Sequence, residues 1–529
     1  MKIRKLVILC LVFTMLLGLV GCGPKDEAVA TNPVDVEPAD TNTPEATEAP
    51  KDPVVLEYWY FGDGPQKDTE LVNEKFNELL QTYPGMEHVT VHFNPYYGGY
   101  REAVELALNA GEQIDILNTF SLGYNAQVEN GTFLALDNLI TENIKAELPA
   151  WLMELGKVGD STYIVPNQQR ASNQLYLVVP KQYMDNYGDL AKFKEVFNDG
   201  KWTIEEAAAI LEEFTIACQE GEGKTKYAYP IGYLSQYHDG FRGRGDTVGN
   251  LFLAEDSEEL VYPLSTEKVK TASEISARWY QEGLIHPDIL TVSGSDFYGA
   301  NFLNEVSYVY FTQNGYGSEE FAGEQYSASC GVDCYAIALY PDYYIGNSWA
   351  AGGLGITVNC EHPEEAMRFI ELMNTVEGKD LYNMFVYGLE DVHYTRVSDT
   401  RIETLEYSGT QGDPSVSYSA PKWAHGNTVN VWLNQACPDN EVEIIEEINN
   451  NPNNVTSKLM GFVPDTTSIT TEIDQMKAVN GEYLDTLTKG ALGANFEKTY
   501  AEYVAKIEAA GLQTVMDELQ AQVDAFLGK

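Results

Sequence analysis

The run from Val54-Val-Leu-Glu-Tyr-Trp-Tyr60 to Ile114-Asp-Ile-Leu117 decides the fold. Val54 to Tyr60 is rich in β-formers and reads as a largely buried strand that ends at Gly62-Asp63-Gly64. Leu71, Val72, Phe76, Leu79, Leu80 and Tyr83 then recur at helical spacing until Pro84-Gly85 stops the helix. His88 to Phe93 reads as a second strand, Tyr100 to Ala110 as a second helix and Ile114 to Leu117 as a third strand. Strand, helix, strand, helix, strand predicts an α/β fold with a parallel sheet flanked by helices. In such sheets ligands sit beyond the carboxyl ends of the strands, here near Gly62-Asp63 and Asn118 to Ser121.

Working outward, a second region runs from about Leu175 to Tyr340. Its helix after Lys201-Trp202-Thr203 has Thr203 as N-cap and Glu206 three residues on, a capping box, and Trp202 reads as core. Another helix carries Val269 to Leu284, and Trp349 to Val358 reads as a strand returning to a sheet. His362-Pro363 opens a further helix with Pro at its first position, and the tail from Tyr500 to Phe526 is helical.

Toward the N-terminus, Lys2, Arg4 and Lys5 precede an apolar run from Leu6 to Val20 and then Gly21-Cys22. A positive start, a short apolar stretch and small residues mark residues 1–22 as a signal peptide, too short to read as a spanning helix. Residues 23–52 carry repeated Pro and many acids and read as a disordered tether. Across the 529 residues the formal charge is −47, which argues against binding nucleic acid or docking on anionic lipid through a basic face. The 34 Tyr and 7 Trp supply flat apolar faces with polar tips, which suit a ligand site. The body has five cysteines, Cys218, Cys330, Cys334, Cys360 and Cys437; an odd number leaves at least one thiol unpaired, and buried structural cysteines are favoured over a bridge.

Several segments, in order, resemble the extracellular solute-binding proteins of ABC sugar importers. They are Leu19-Val-Gly-Cys22, which looks like a bacterial lipobox, Ala107 to Ile116, Gly131 to Asp137 and Arg278 to Asp288. Tyr387 to Tyr394, Trp423-Ala-His-Gly-Asn427 and Leu459 to Phe462 resemble the large lipoprotein subgroup of that family, which has a C-terminal extension. The resemblance implies cleavage before Cys22, lipidation of its thiol, and a lipid-anchored protein outside the cytoplasmic membrane. It also implies a periplasmic-binding-protein-like (type II) fold, two lobes with hinge and cleft, and a helical C-terminal extension. Lobe 1 is then about 53–170 plus 345–395, and lobe 2 about 171–344 plus parts of 396–529. One departure is Asn304-Glu305, where the family usually has Gly.

No enzyme signature is present: G-x-S-x-G, H-E-x-x-H and a Walker loop are absent, and Arg244-Gly245-Asp246 reads as a chance tripeptide. No catalytic residue, metal or organic cofactor is expected, and the chain is expected to be monomeric. A sugar site needs aromatic platforms with amide, acid and guanidinium groups at their edges. Candidates at strand ends are Tyr60, Asp63, Tyr97, Arg101, Asn118, Phe120 and Ser121, then Gln169 and Arg170 where the chain enters the second lobe. The second lobe offers His238, Asp239 and Tyr316, with Trp349 as the foremost stacking candidate and Trp423 and Asn427 as family-like positions. The expected function is capture of a carbohydrate, an oligosaccharide by preference, for delivery to an ABC permease. A tethered glycoside hydrolase, a surface adhesion protein and a binder of peptide or another polar solute are the alternatives.

Overall fold

A computed structural model describes residues 51–234, 245–292, 301–346, 352–405, 417–435 and 437–529. The chain begins with β1 (Val54–Phe61), α1 (Thr69–Leu80), β2 (Val89–Tyr96), α2 (Tyr100–Ala110) and β3 (Ile116–Asn118), the alternation expected from residue spacing. β4 (Ile164–Pro166) follows, then β5 (Gln174–Pro180), α3 (Ile204–Glu222) and α4 (Glu267–Gln281). Next come β6 (Tyr310–Asn314), α5 (Glu319–Cys330), β7 (Cys334–Ala338), β8 (Gly353–Ile356) and α6 (Pro363–Asn374). The chain closes with α7 (Glu441–Asn450), α8 (Thr470–Thr488), α9 (Phe496–Ala509) and α10 (Leu512–Phe526).

Two sheets organise two lobes. The first has the order β2-β1-β3-β8-β4 and the second β6-β5-β7. β1 pairs with β2 and β3 in parallel, but β8 runs antiparallel to both of its neighbours, so the sheet is mixed rather than purely parallel. The reason is connectivity: β8 returns from the second lobe and enters the sheet from the opposite end. In β1 Leu56, Tyr58 and Tyr60 point into one core while Trp59 and Phe61 are half-buried on the other face, the period-2 pattern of a strand. That first core runs past residue 395 and takes in Ile402, Ala420, Val431 and Trp432. The second lobe packs α3, α4 and α5 on β5, β6 and β7.

Local signals account for the ends of several helices. Thr203 Oγ1 accepts from the Glu206 amide at 3.2 Å and Glu206 Oε2 accepts from the Thr203 amide at 2.9 Å, closing the capping box at α3. Pro363 occupies the first turn of α6. Trp202 is buried, with its indole N–H on the Leu339 carbonyl at 3.3 Å. The five body cysteines are free thiols, four of them buried.

Segment 167–173 leads from the first sheet to the second as one crossing, and 339–346 leads away from β7 as the start of another; in the latter, Tyr344–Ile345 pairs in parallel with Val455–Thr456. The chain after Ser457 folds as α8, α9 and α10 around a third core, shared with the hairpin Gly245–Val248/Leu251–Ala254 and with Leu260, Tyr262, Leu264 and Val269. Among the described residues no helix is long and apolar enough to cross a membrane.

Candidate functional site

β4 runs out at Pro166 into the first crossing segment, and β8 begins at Gly353 on returning from the second. Since β1, β3 and β4 share one direction, their carboxyl ends lie on the sheet edge from which both crossings leave. That edge is where an open α/β sheet binds ligands. Three half-buried aromatic rings gather there: Phe61 at the end of β1, Phe120 just past β3, and Trp423 in the single 3-10 turn Lys422–Ala424. Phe61 lies 4.9 Å from Phe120, Phe120 lies 4.8 Å from Trp423, and Phe61 lies 6.2 Å from Trp423, between ring centroids.

The backbone beneath these rings is tied down from every side. Asn118 is fully buried; its Nδ2 donates to the Ala424 carbonyl at 2.7 Å and its Oδ1 accepts from the Phe120 amide at 3.2 Å. Asn167 Nδ2 donates to the Trp423 carbonyl at 2.7 Å. The Tyr382 hydroxyl donates to the Lys422 carbonyl at 2.8 Å and also meets the His425 carbonyl. His425 is buried, with Nε2 3.1 Å from the Phe61 carbonyl and Nδ1 2.6 Å from the Tyr58 hydroxyl. A carbonyl only accepts, so Nε2 carries the proton and Nδ1 accepts from Tyr58. The rings therefore sit on a preorganised floor, which lowers the ordering cost of binding a flat ligand face.

Burial holds the His425 imidazole well below its usual 6.5, at about 3, with the Phe61 carbonyl opposing the shift. The sign follows. Above 6.5 the group is neutral in both states; below it the unfolded chain takes up a proton that the folded state refuses. Stability from this residue is thus complete above that value and drains as pH falls toward the folded value, by up to about 1.4 kcal/mol per pH unit. We expect His425→Gln to flatten the decline of melting temperature between roughly pH 6.5 and pH 5. Parallel thermal melts of the two proteins check this, and an unchanged slope would refute it.

Of the residues singled out in the sequence, the structure brings Phe120 and Trp423 together. Asp63 and Ser419 sit nearby, with Ser419 Oγ donating to Asp63 Oδ2 at 2.8 Å. Tyr97 is exposed beside Gly64. Arg101 reaches back to the Ser121 carbonyl at 3.1 Å, and Ser121 itself has a left-handed backbone, φ 64°. Gln169 and Arg170 lie on the first crossing, where the Gln169 carbonyl accepts from Asn449 Nδ2 at 2.9 Å and Arg170 Nη1 donates to the Gly315 carbonyl at 2.7 Å. A Cβ on Gly315 would fall 2.4 Å from Arg170 Cδ, so only glycine lets the arginine lie flat there. Tyr316 follows, half-buried, with its ring 5.5 Å from Tyr326 and 5.7 Å from Phe321.

Four of the expected ligand residues are buried, Asp63 at 8% exposure among them. Tyr60 is 2% exposed and packs edge-on against Phe93, Phe385 and His425, because the alternation of β1 turns it into the core. Asn118 has no exposed surface, and its amide is engaged by the Ala424 carbonyl. Asn427 is 4% exposed; its Oδ1 accepts from the Val429 amide at 3.0 Å and its Nδ2 donates to the Asn374 carbonyl at 3.3 Å. His238, Asp239, Trp349 and Cys22 lie outside the described residues. Asp246 of the Arg-Gly-Asp tripeptide is buried, taking the Tyr344 and Ser457 hydroxyls on Oδ2 at 2.5 Å each, so its carboxylate is not presented for adhesion.

Phe61 and Asn167 are missing from the sequence-based set. Phe61 carried a signal: extending the strand by one residue puts it on the face of Trp59, opposite Tyr60. Asn167 carried none, since its partner is 256 residues away.

This is the architecture of the two-lobed solute-binding proteins, mixed α/β with a helical C-terminal region. Solved structures with this fold include the N-glycan transport solute binding protein NgtS from Streptococcus pneumoniae, at TM-score 0.67 and 17% identity over 90% of this chain and 99% of that one. Another is an HMO-binding, ABC-transporter-associated solute binding protein from Bifidobacterium longum infantis, at TM-score 0.58 and 14% identity over 90% of this chain and 100% of that one. A third is the S. pneumoniae ABC-transporter substrate binding protein FusA in complex with kestose, at TM-score 0.55 and 13% identity over 89% of this chain and 99% of that one. Residues 458–528 match the family described as "Domain of unknown function (DUF3502)". Comparison with curated proteins finds no match.

Proposed function

We propose that this protein is a carbohydrate-binding subunit of an ABC importer that captures an oligosaccharide between its lobes and delivers it to a permease. The observation that carries this reading is the Phe61–Phe120–Trp423 platform on the sheet edge from which the crossing segments leave. Sugar rings present C–H faces that stack on such rings, while hydroxyls take polar partners such as those of Gln169 and Arg170 along the first crossing. The sugar ligands named for the structural neighbours support the same class. The chemistry is non-covalent: a ligand touching both lobes shifts an open–closed equilibrium by its differential affinity for the closed form. The lipobox-like Leu19-Val-Gly-Cys22 supports anchoring through lipid on Cys22 at the outer face of the cytoplasmic membrane.

Small-angle scattering with a panel of glycans tests the binding reading. The cognate sugar should lower the radius of gyration and, by mass action, raise the melting temperature without being cleaved. Absence of both responses across plant, host and microbial glycans would refute sugar capture, and release of cleaved sugar would favour a hydrolase. Fractionating cells that express a Cys22→Ala variant tests the anchor. Normal processing with unchanged membrane association would remove it.

A further inference from the structure

Arg170 is held along one edge and open along the other. It is half-buried on the first crossing, and its Nη1 donates at 2.7 Å to the carbonyl of Gly315, the residue after β6. A Cβ on Gly315 would fall 2.4 Å from Cδ, 2.8 Å from Nε and 2.9 Å from Nη1, so the side of the guanidinium that Cδ and Nη1 share lies against the second lobe's backbone. The Nε and Nη2 hydrogens point the other way by covalent geometry, and they make no hydrogen bond among the described residues. Those donors form the planar fork that a carboxylate takes with both of its oxygens.

The chain carries 80 acidic side chains against 33 lysines and arginines, so an arginine with no acid beside it is an exception here. Arg278 holds Glu212 at 2.6 Å, Arg368 holds Glu377 at 2.5 Å, Arg396 holds Glu390 at 3.6 Å and Arg401 holds Asp439 at 2.5 Å. Arg101 and Arg170 are the other arginines among the described residues, and neither has an ion pair or a ring to lie over. Both belong to the sheet edge where the crossings leave. Arg101 opens α2 beyond the carboxyl end of β2, and its Nε is fixed on the Ser121 carbonyl at 3.1 Å, next to Phe120. A half-buried guanidinium without a counter-charge has given up hydration for nothing in the folded chain, which a negatively charged ligand would offset.

Building on the sugar-capture reading, we propose that the ligand is an acidic oligosaccharide and that Arg170 takes its carboxylate on Nε and Nη2. Asn167, three residues before Arg170, donates to the Trp423 carbonyl. An extended chain spans at most about 3.6 Å per residue, so the backbones of Arg170 and Asn167 are within roughly 11 Å, a gap that an oligosaccharide bridges. One end of the ligand then stacks on the Phe61–Phe120–Trp423 platform while a carboxylate on another ring reaches the fork. The negative charge of the whole chain does not oppose this at contact range, because salt screens charges beyond about 8 Å.

Titration calorimetry on the full-length protein with matched sugars tests the inference. The pairs are tetragalacturonate and its methyl ester, a glucuronate-bearing xylotriose and xylotetraose, and sialyllactose and fucosyllactose. At least one acidic member should bind about tenfold or more tightly than its uncharged counterpart, the factor expected of a charge-assisted hydrogen bond. Arg170→Gln should erase that preference, and Arg170→Lys should restore only part of it, since an ammonium keeps the charge without the fork. Uncharged members that bind as well as the acidic ones would overturn the acidic class and leave sugar capture standing. No binding by any acidic member also overturns it, and the broader glycan panel then decides sugar capture separately. A preference left intact in Arg170→Gln would remove Arg170 from the site. Should a variant fail to fold, the pairs measured on the unsubstituted protein decide alone.

Discussion

A chain ended after Ser457 is expected to be insoluble and to show no cooperative melt. Residues 458–529 do not fold beside the second lobe as an appendage; they supply most of a core that is completed by Val248, Leu251, Leu253, Leu260, Tyr262, Leu264, Val269 and Ala277. Leu459, Met476, Tyr503, Val515, Leu519 and Val523 have 1% exposure or less. At about 1.5–3 kcal/mol each, these six alone amount to roughly 10–20 kcal/mol, as much as the whole stability of an ordinary domain, about 5–15 kcal/mol. Polar groups would be orphaned too: Tyr262 shares a 2.8 Å hydrogen bond with Tyr503, and the Leu260 amide donates to Gln520 Oε1 at 2.7 Å. At Gly490, φ 77°, an added Cβ would fall 2.3 Å from the Ser276 carbonyl oxygen, so even Gly490→Ala should cost several °C in melting temperature. Soluble yield and circular-dichroism melts decide. A truncated chain that is soluble and melts like the full protein would show the segment to be separable.

The second large effect is on binding. Trp423→Ala should weaken sugar affinity by about tenfold or more, since an aromatic contact gives roughly 0.5–1.5 kcal/mol beyond the area it buries and each 1.4 kcal/mol is a factor of ten. Its melting temperature should fall little, because the indole is half-buried and the floor is held by main-chain atoms that the substitution leaves in place. Tyr60→Ala should behave in the opposite way, with a truncation cost of about 3–5 kcal/mol typical of a large core aromatic. Titration calorimetry and thermal melts on both variants check the pair. Unaltered affinity in Trp423→Ala with a collapsed melting temperature would move the site elsewhere.

What the sequence disclosed was local. The period of Leu56, Tyr58 and Tyr60, the helical spacing from Leu71 to Leu80, the Thr203/Glu206 box and Pro363 each act within a few residues of themselves. What it withheld depends on distant partners. The direction of β8 is set by the crossing that delivers it, and Asn118 is committed to a carbonyl 306 residues away. Tyr60 and Phe61 differ only in which face of one strand they occupy. Which of these two neighbours reaches the sheet edge therefore depends on assigning the face of the strand, which an aromatic residue by itself does not reveal.

The position of β8 also governs the order in which the protein can assemble. It lies between β3 and β4 in the sheet, yet it is made of residues 353–356. A nascent chain that stops short of it has two strand edges open where the finished sheet has none, and lacks Phe369, Phe385 and Trp432 from the core beneath. Contacts this far apart in sequence make for slow closure. The first lobe, though encoded first, therefore stays uncommitted until most of the chain has been synthesised, and the earliest residues wait for the latest ones.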